Sequence, residues 1–183
     1  MNMRKISVVM ALLLIACGAF YFLEGYRFTP FAAAKANGFV TDDYELVEKI
    51  EEDSIFYLFK SDEKQEYRTV HVKQNAQTYY SYASTFIPYG EDNLQTIGGM
   101  SIRYEDEKAT LFVLLSKDEA IDSIVVHTEF GDEKKKILKD KPLYFLFPYS
   151  QQIDHINATA FDKNGNELYY YKDVDQNLKW QEI

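Results

Sequence analysis

The chain has 183 residues, with 29 acidic against 20 basic side chains, a net charge of −9 and one cysteine. Its only basic run, Lys134-Lys135-Lys136, sits between Asp132, Glu133 and Asp140; this is a poor fit to nucleic-acid binding, which needs clustered cations against phosphate. Cys17 alone allows no internal disulfide and no thiolate metal site, so the fold is expected to hold together by its core.

The first predicted element is apolar. Arg4 and Lys5 open it, and no charged side chain follows from Ile6 to Leu23. A helix over that stretch rises about 27 Å, close to the thickness of a bilayer's hydrocarbon core. Cations at its N-terminal end would keep that end in the cytoplasm and place the rest outside. On this reading about five residues stay inside, too few to fold, so any inward signal needs a membrane partner. Within the same stretch, Leu14-Ile15-Ala16-Cys17 resembles the lipobox of bacterial lipoproteins, followed by Gly18. That resemblance implies cleavage before Cys17 and lipid modification of its thiol. It would leave 18 basic against 29 acidic residues. The apolar run Gly18–Leu23 differs from the polar tether usual in that family. A third reading, a cleaved secretory signal, has only Ala32-Ala33-Ala34 as small residues, too far beyond the apolar core. In a helix that stays intact, Cys17 is simply a small apolar side chain.

The exported part, roughly 160 residues, is enough for one domain or two small ones. Fifteen Tyr and thirteen Phe, with no long helical periodicity, predict a mainly β fold. One short helix is expected first, with Thr29 as N-cap, Pro30 at its first position and Gly38 at its end. Two turns are not stable alone, so Phe31 and Ala34 must pack on something. An antiparallel meander follows: 44–50, 54–60, 67–73 and 77–86. In the second of these strands Ile55, Tyr57 and Phe59 share one face and Phe56 and Leu58 the other. In the third, Val70 and Val72 oppose Thr69 and His71.

Ile87-Pro88-Tyr89-Gly90-Glu91-Asp92-Asn93 is rich in breakers and reads as a boundary. The expected organisation is an anchor or signal segment over 1–27, a helix plus small sheet over 28–90, and a sandwich with a C-terminal tail over 95–183. Strands are predicted at 100–105, 110–116, 121–130, 134–138, 142–147, 153–161 and 167–172, separated by polar turns such as Glu105-Asp106-Glu107. Thr110–Leu115 is apolar on both faces, as a central strand should be. Asn164-Gly165 predicts a two-residue type I′ hairpin with Phe161 opposite Leu168, Ala160 opposite Tyr169 and Ala158 opposite Tyr171.

The stretch Ala160–Tyr169 is similar to the closing hairpin of bacterial immunoglobulin-like surface modules. The resemblance implies a sandwich with a binding or spacer role and brings no catalytic residues. Paired cysteines and the buried Trp of antibody domains are missing, since the sole Trp180 falls in the expected tail. The whole chain resembles small membrane-anchored or lipoprotein-like proteins of Bacillus-type bacteria, and its cysteine-poor composition rich in Lys, Glu, Asp, Tyr and Asn fits a Gram-positive source.

Tyr79, Tyr80, Tyr82 and Tyr89, with Phe86, are the candidate binding residues. Tyr80 and Tyr82 share a strand face and Tyr79 takes the other; exposed rings of this kind stack on sugars or grip peptides. The alternative is a sheet covered on both faces. Asp162, Asn164, Asn166 and Asp173 match positions 1, 3, 5 and 12 of a calcium loop, but Glu167 stands where its glycine belongs, so a hairpin is expected. His71, His127 and His155 have no metal-ligand spacing, no Gly-x-Ser-x-Gly or Ser-x-x-Lys motif occurs, and Gly98-Gly99 lacks the lysine of a phosphate loop. No metal, cofactor or catalytic residue is assigned. The expectation is a non-enzymatic binding or accessory protein of the cell envelope, contacting the membrane through its N-terminal segment and an envelope protein or wall polymer through its head. Against it stand an envelope hydrolase, which a His–acid pair in a cleft between the halves would favour, and a regulator of an integral membrane partner.

Overall fold

The computed structural model describes residues 3–104, 107–174 and 177–183, and within them the side chains from Val8 onward, those of 173–178 apart. The fold is mainly β, with antiparallel sheets and two α-helices among the described residues.

Helix α1 spans Met3–Leu23. Its end is fixed by a Schellman motif: the Tyr26 N–H donates to Tyr21 O at 3.3 Å and the Gly25 N–H to Phe22 O at 3.2 Å. Gly25 takes φ +88°, which is why a glycine stands there. Valine, leucine and isoleucine side chains from Val8 to Ile15 are exposed around the helix, Leu14 at 71 % and Leu23 at 83 %. Among the described residues no helix is long and apolar enough to cross a membrane. The described side chains of α1, Val8 to Leu23, cover roughly 24 Å of helix, and the side chains of Ile6 and Ser7 lie outside the described residues.

Helix α2 spans Pro30–Lys35. Thr29 caps it as expected, its Oγ accepting from the Ala32 N–H at 3.2 Å. The helix closes at Ala36 rather than Gly38: Ala36 keeps an α-region φ of −81° and its N–H donates back to the last turn. The Asn37 side chain then donates to Ser81 Oγ at 2.6 Å and accepts from the Phe39 N–H, so no left-handed glycine is needed.

The strands are β1 Glu45–Glu51, β2 Ile55–Ser61, β3 Glu66–Asn75, β4 Thr78–Pro88, β5 Leu94–Tyr104, β6 Glu107–Ser116, β7 Ser123–Thr128, β8 Gly131–Lys136, β9 Leu143–Phe147, β10 Asn157–Phe161, β11 Glu167–Val174 and β12 Asn177–Glu182. They form three sheets: a meander β1-β2-β3-β4, a three-stranded sheet β5-β6-β9, and a five-stranded sheet β12-β11-β10-β7-β8.

Three apolar clusters stack these elements in layers. Tyr57, Phe59, Val70 and Val72 bury one face of the meander under Ala33 and Ala34 of α2. Phe56 and Leu58, on its other face, meet Leu111 and Val113 of β6. Phe112 and Leu114, on the opposite face of β6, join Phe145, Ile124, Ala158, Tyr171 and Trp180. Period-two alternation thus sends β6 into two cores at once. Both faces of β2 and β3 are covered, α2 and the β5-β6-β9 sheet taking one each, while the edge strand β4 stays partly exposed, with Tyr82 and Phe86 open to solvent.

Three further expectations change. Residues 153–156 are not strand: Ile153–His155 is a 3-10 turn and β10 starts at Asn157. The expected tail is strand β12, paired with β11 so that Trp180 sits opposite Tyr171 and is buried. The Asn164-Gly165 hairpin is not type I′, since only Gly165 has positive φ (+84°). The Gly165 N–H closes a turn onto Asp162 O, and a bulge then sets Phe161 opposite Glu167 instead of Leu168, while Ala160–Tyr169 and Ala158–Tyr171 pair as expected. Glu105 and Asp106, read as a turn, lie outside the described residues. The lysines 134–136 fall in β8, an edge strand of its sheet, where cations guard against further pairing.

Candidate functional site

The structure brings Tyr80 and Tyr82 together and sends Tyr79 and Tyr89 elsewhere. A bulge in β4 at Tyr82 keeps the Tyr80 and Tyr82 rings on one side, 6.3 Å apart and edge-on. Tyr82 continues to Tyr104 at 5.2 Å and touches the His71 ring edge-on. In the other direction Tyr80 meets Tyr26 at 5.3 Å, and Tyr26 stacks on Tyr21 of α1 at 4.1 Å. A continuous file of five tyrosines therefore runs from the last turn of α1 to β5. Burial, before any neighbouring charge, pushes the Tyr80 phenol up. Tyr79 lies on the opposite face, packed against the α2 layer, and its backbone forms a two-bond bridge with Arg27 at 2.7 and 2.8 Å. Tyr89 is about 30 Å of strand from Tyr80. Its ring packs tilted against Tyr67, 4.7 Å away, and its hydroxyl donates to Asp62 Oδ1 at 2.8 Å; burial followed by that carboxylate pushes its phenol well up.

Arg27 closes the junction between α1 and the head. Its Nη1 donates to Phe22 O at 2.7 Å and Tyr26 O at 2.8 Å, and its guanidinium lies 3.7 Å over the Phe22 ring. A cation at the C-terminal end of a helix answers both its unpaired carbonyls and its dipole. Cys17 sits exposed on α1, less than two turns before its end.

A His–acid pair does occur where the meander meets β6. His71, wholly buried, places Nε2 2.7 Å from Glu107 Oε1. The Ser54 hydroxyl donates to that same oxygen, also at 2.7 Å. The carboxylate thus stands between the hydroxyl and the imidazole. A Ser-His-acid relay needs the imidazole in the middle, touching the nucleophile. Burial holds the His71 imidazole below its ordinary value, against the pull of Glu107, so the ring is neutral at neutral pH, and its Nδ1 has no partner. The geometry is that of a polar pin between two sheets.

A cleft of about 390 Å3 opens beside β5, lined by Ile87, Leu94, Thr96, Ile153, Tyr171 and Trp180 among others. Burial pushes the Tyr171 phenol up to about 12; the Thr96 hydroxyl beside it eases that shift but stays outside hydrogen-bond geometry. Trp180 Nε1 is likewise buried without a partner. The cleft went unnoticed in the sequence because it depends on β12. The available signal was the alternation Asn177-Leu178-Lys179-Trp180-Gln181.

At the last hairpin, Asp162 accepts the Asn164 and Asn166 backbone N–H groups, both at 2.8 Å, and the Asn166 side-chain amide. These donors, the Asn166 amide foremost, hold its carboxyl below the usual range. Its oxygens are occupied by the turn itself. The Asp173 side chain lies outside the described residues. Among the described residues no group of three or more His, Cys, Asp or Glu is placed to hold a metal ion. Compared with protein-family models, with curated proteins and with solved structures, the chain finds no match.

Proposed function

We propose that this is a membrane-anchored, extracytoplasmic, non-enzymatic binding or accessory protein of the cell envelope, its β layers forming a head held at the outer face of the bilayer. The observation that carries the proposal is α1. A helix that is apolar all round belongs in a core or in lipid, and α1 leaves Val8, Val9, Leu12, Leu13, Leu14, Ile15, Phe20, Phe22 and Leu23 exposed. At about 1.5–3 kcal/mol for each such side chain fully buried, their transfer out of water exceeds about 10 kcal/mol. Arg4 and Lys5 at its start support the outward orientation. The sandwich of β5-β6-β9 on β12-β11-β10-β7-β8 supports an immunoglobulin-like head with a binding or spacer role, and the cleft at Trp180, with its apolar lining, suits a small apolar group carrying an acceptor.

The test is fractionation of cells making the full chain. The expected result is a membrane-bound protein that resists an alkaline wash and whose head is digested by protease added outside intact cells. Recovery in the soluble fraction, or a protected head, overturns the proposal. Intact mass beside a Cys17→Ala variant separates the two anchors: a diacylglyceryl adduct on a chain lacking residues 1–16 marks the lipoprotein, and an uncut chain marks the helix. The hydrolase reading has the His71–Glu107 pair in its favour, but the carboxylate between Ser54 and His71 and the full burial of His71 weigh against it.

A further inference from the structure

We propose that Tyr26, Phe28 and Tyr80 form a seat that holds the β head directly against the headgroup layer of the membrane carrying α1. The proposal rests on the membrane-anchored reading above and adds the orientation of the head and the surface that fixes it.

Three observations point to lipid as the occupant. First, no free linker separates helix from head. The Schellman motif turns the chain at Gly25, Arg27 caps the helix end, and the very next backbone contact is the Arg27–Tyr79 bridge onto β4. The head must therefore follow the height and tilt of α1. Second, the tyrosine file starts inside the last turn of the helix. Tyr21 is 43 % exposed, and Tyr26 and Tyr80 are one and two ring contacts beyond it. Each headgroup layer is about 5–7 Å thick. With Leu23 at the edge of the hydrocarbon, ring contacts of 4.1 and 5.3 Å keep Tyr26 and Tyr80 within the length scale of that layer and its outer edge. Tyrosine is the side chain that prefers this zone, having an apolar ring and a polar tip. Third, Phe28 is 80 % exposed, five residues after α1 ends and next in the chain to Arg27 of the bridge. Phe39, Phe86 and Phe130 are exposed on the head as well, but of these Phe28 alone adjoins the end of α1, where an amphipathic contact with the acyl boundary would cover it. The ring contacts Tyr21–Tyr26–Tyr80 lead from α1 onto the head without a break, so the occupant that covers α1 is the one the seat meets.

The test uses the full chain carrying Trp180→Phe, which removes its only tryptophan, reconstituted into phosphatidylcholine vesicles. A tryptophan reporter is placed by Phe28→Trp, by Tyr80→Trp, or by Phe130→Trp. Phe130 is also exposed, but lies in the β7–β8 turn of the outermost sheet. Bromines are carried near the headgroup or deep in the acyl chain. Phe28→Trp and Tyr80→Trp are expected to lose at least half their emission to shallow bromines and less to deep ones, with Phe130→Trp unquenched. If the protein floats with the vesicles while the two seat reporters are as little quenched as Phe130→Trp, the seat is overturned and the anchor stands. If the protein fails to float with the vesicles, both readings fall.

Discussion

Gly98→Ala is the sharpest single test of whether the meander and the β5-β6-β9 sheet are packed as one body. A Cβ at residue 98 would meet Thr69 Oγ1 at 2.9 Å, Val113 Cγ2 at 3.1 Å and Leu58 Cδ1 at 3.2 Å. All three side chains are buried, two on the meander and one on β6. None is the loose end of a long chain, so relief requires the sheets to part. Gly98 also follows a bulge in β5 between Thr96 and Gly98, which brings its backbone in against the meander. Overpacking of this kind costs about 1–3 kcal/mol. Against it stands a gain of about 0.4–1 kcal/mol from restricting the unfolded chain. The expected net loss is about 1–2 kcal/mol, or roughly 2–8 °C in Tm for a chain of this size. Gly99→Ala is the control. Its new Cβ would find only Ile153 atoms at 3.7–3.8 Å, ordinary van der Waals contact, so Tm should shift by less than about 2 °C. The assay is thermal unfolding of the full chain in detergent, both variants beside the parent. Equal Tm for Gly98→Ala and Gly99→Ala would refute the close approach, and with it the packing of Leu58 and Thr69 over β6.

Two further perturbations probe the pin and the last strand. The His71 imidazole is held below its unfolded value of 6.5 by burial, so the unfolded chain takes up a proton first as pH falls. Stability should be full above pH 6.5 and decline from there downward, a window distinct from that of Glu66. Burial raises the Glu66 carboxyl, but hydrogen bonds from Tyr44 and Arg68 outweigh it and keep the value below 4.5, so its contribution is lost only at lower pH. Urea midpoints of a His71→Gln variant should lose the slope that sets in as pH falls below 6.5; an unchanged slope would show that another group titrates there. Trp180→Ala should cost about 3 kcal/mol, the lower end for a buried aromatic because β12 is an edge strand free to relax, while Trp180→Phe costs far less, since the buried Nε1 loses no partner. A Trp180→Ala chain as stable as the parent, by the same urea titration, would show that β12 does not close the sandwich.

Strand parity was legible because both faces of the central strands β2, β3 and β6 are buried, so period-two alternation had two cores to record. The split of Ile55, Tyr57 and Phe59 from Phe56 and Leu58, and the two-faced apolar character of Leu111–Leu114, follow directly. Where one residue decides a shape, the pattern was silent. The hairpin at Gly165 kept the pairing of Ala160 and Ala158 but shifted Phe161, because Asp162, by gathering the Asn164 and Asn166 N–H groups, stabilises a turn that Asn164-Gly165 alone does not specify. Gly98 carried no local sign that it spaces two sheets. Tyr89 was grouped with Tyr80 because nine positions look close in a sequence, whereas an extended strand separates them by about 30 Å. Tyr26 and Tyr104, which do share a site with Tyr80 and Tyr82, are distant in sequence and joined only by tertiary packing.

The two anchors that the N-terminal segment offers lead to the same place for the head. If α1 stays whole, Leu23 ends its apolar stretch and Tyr21 falls at the boundary of the hydrocarbon. If the chain is cut before Cys17 and lipidated there, the diacylglyceryl group pins residue 17 at the top of the bilayer, and the turns from Cys17 to Leu23 cover only about 9 Å of helix. Those residues are apolar, unlike a polar tether, so lying down among the headgroups suits them better than standing in water. Either way Tyr21 would lie within a turn or two of the bilayer surface, and Tyr26 and Tyr80 would follow through their ring contacts. The same contacts explain why aromatic residues gather on this edge of the meander. On the proposed anchoring the acidic remainder of the head would be held off the surface, with the cleft at Trp180 in the layers beyond the meander, on the side away from α2.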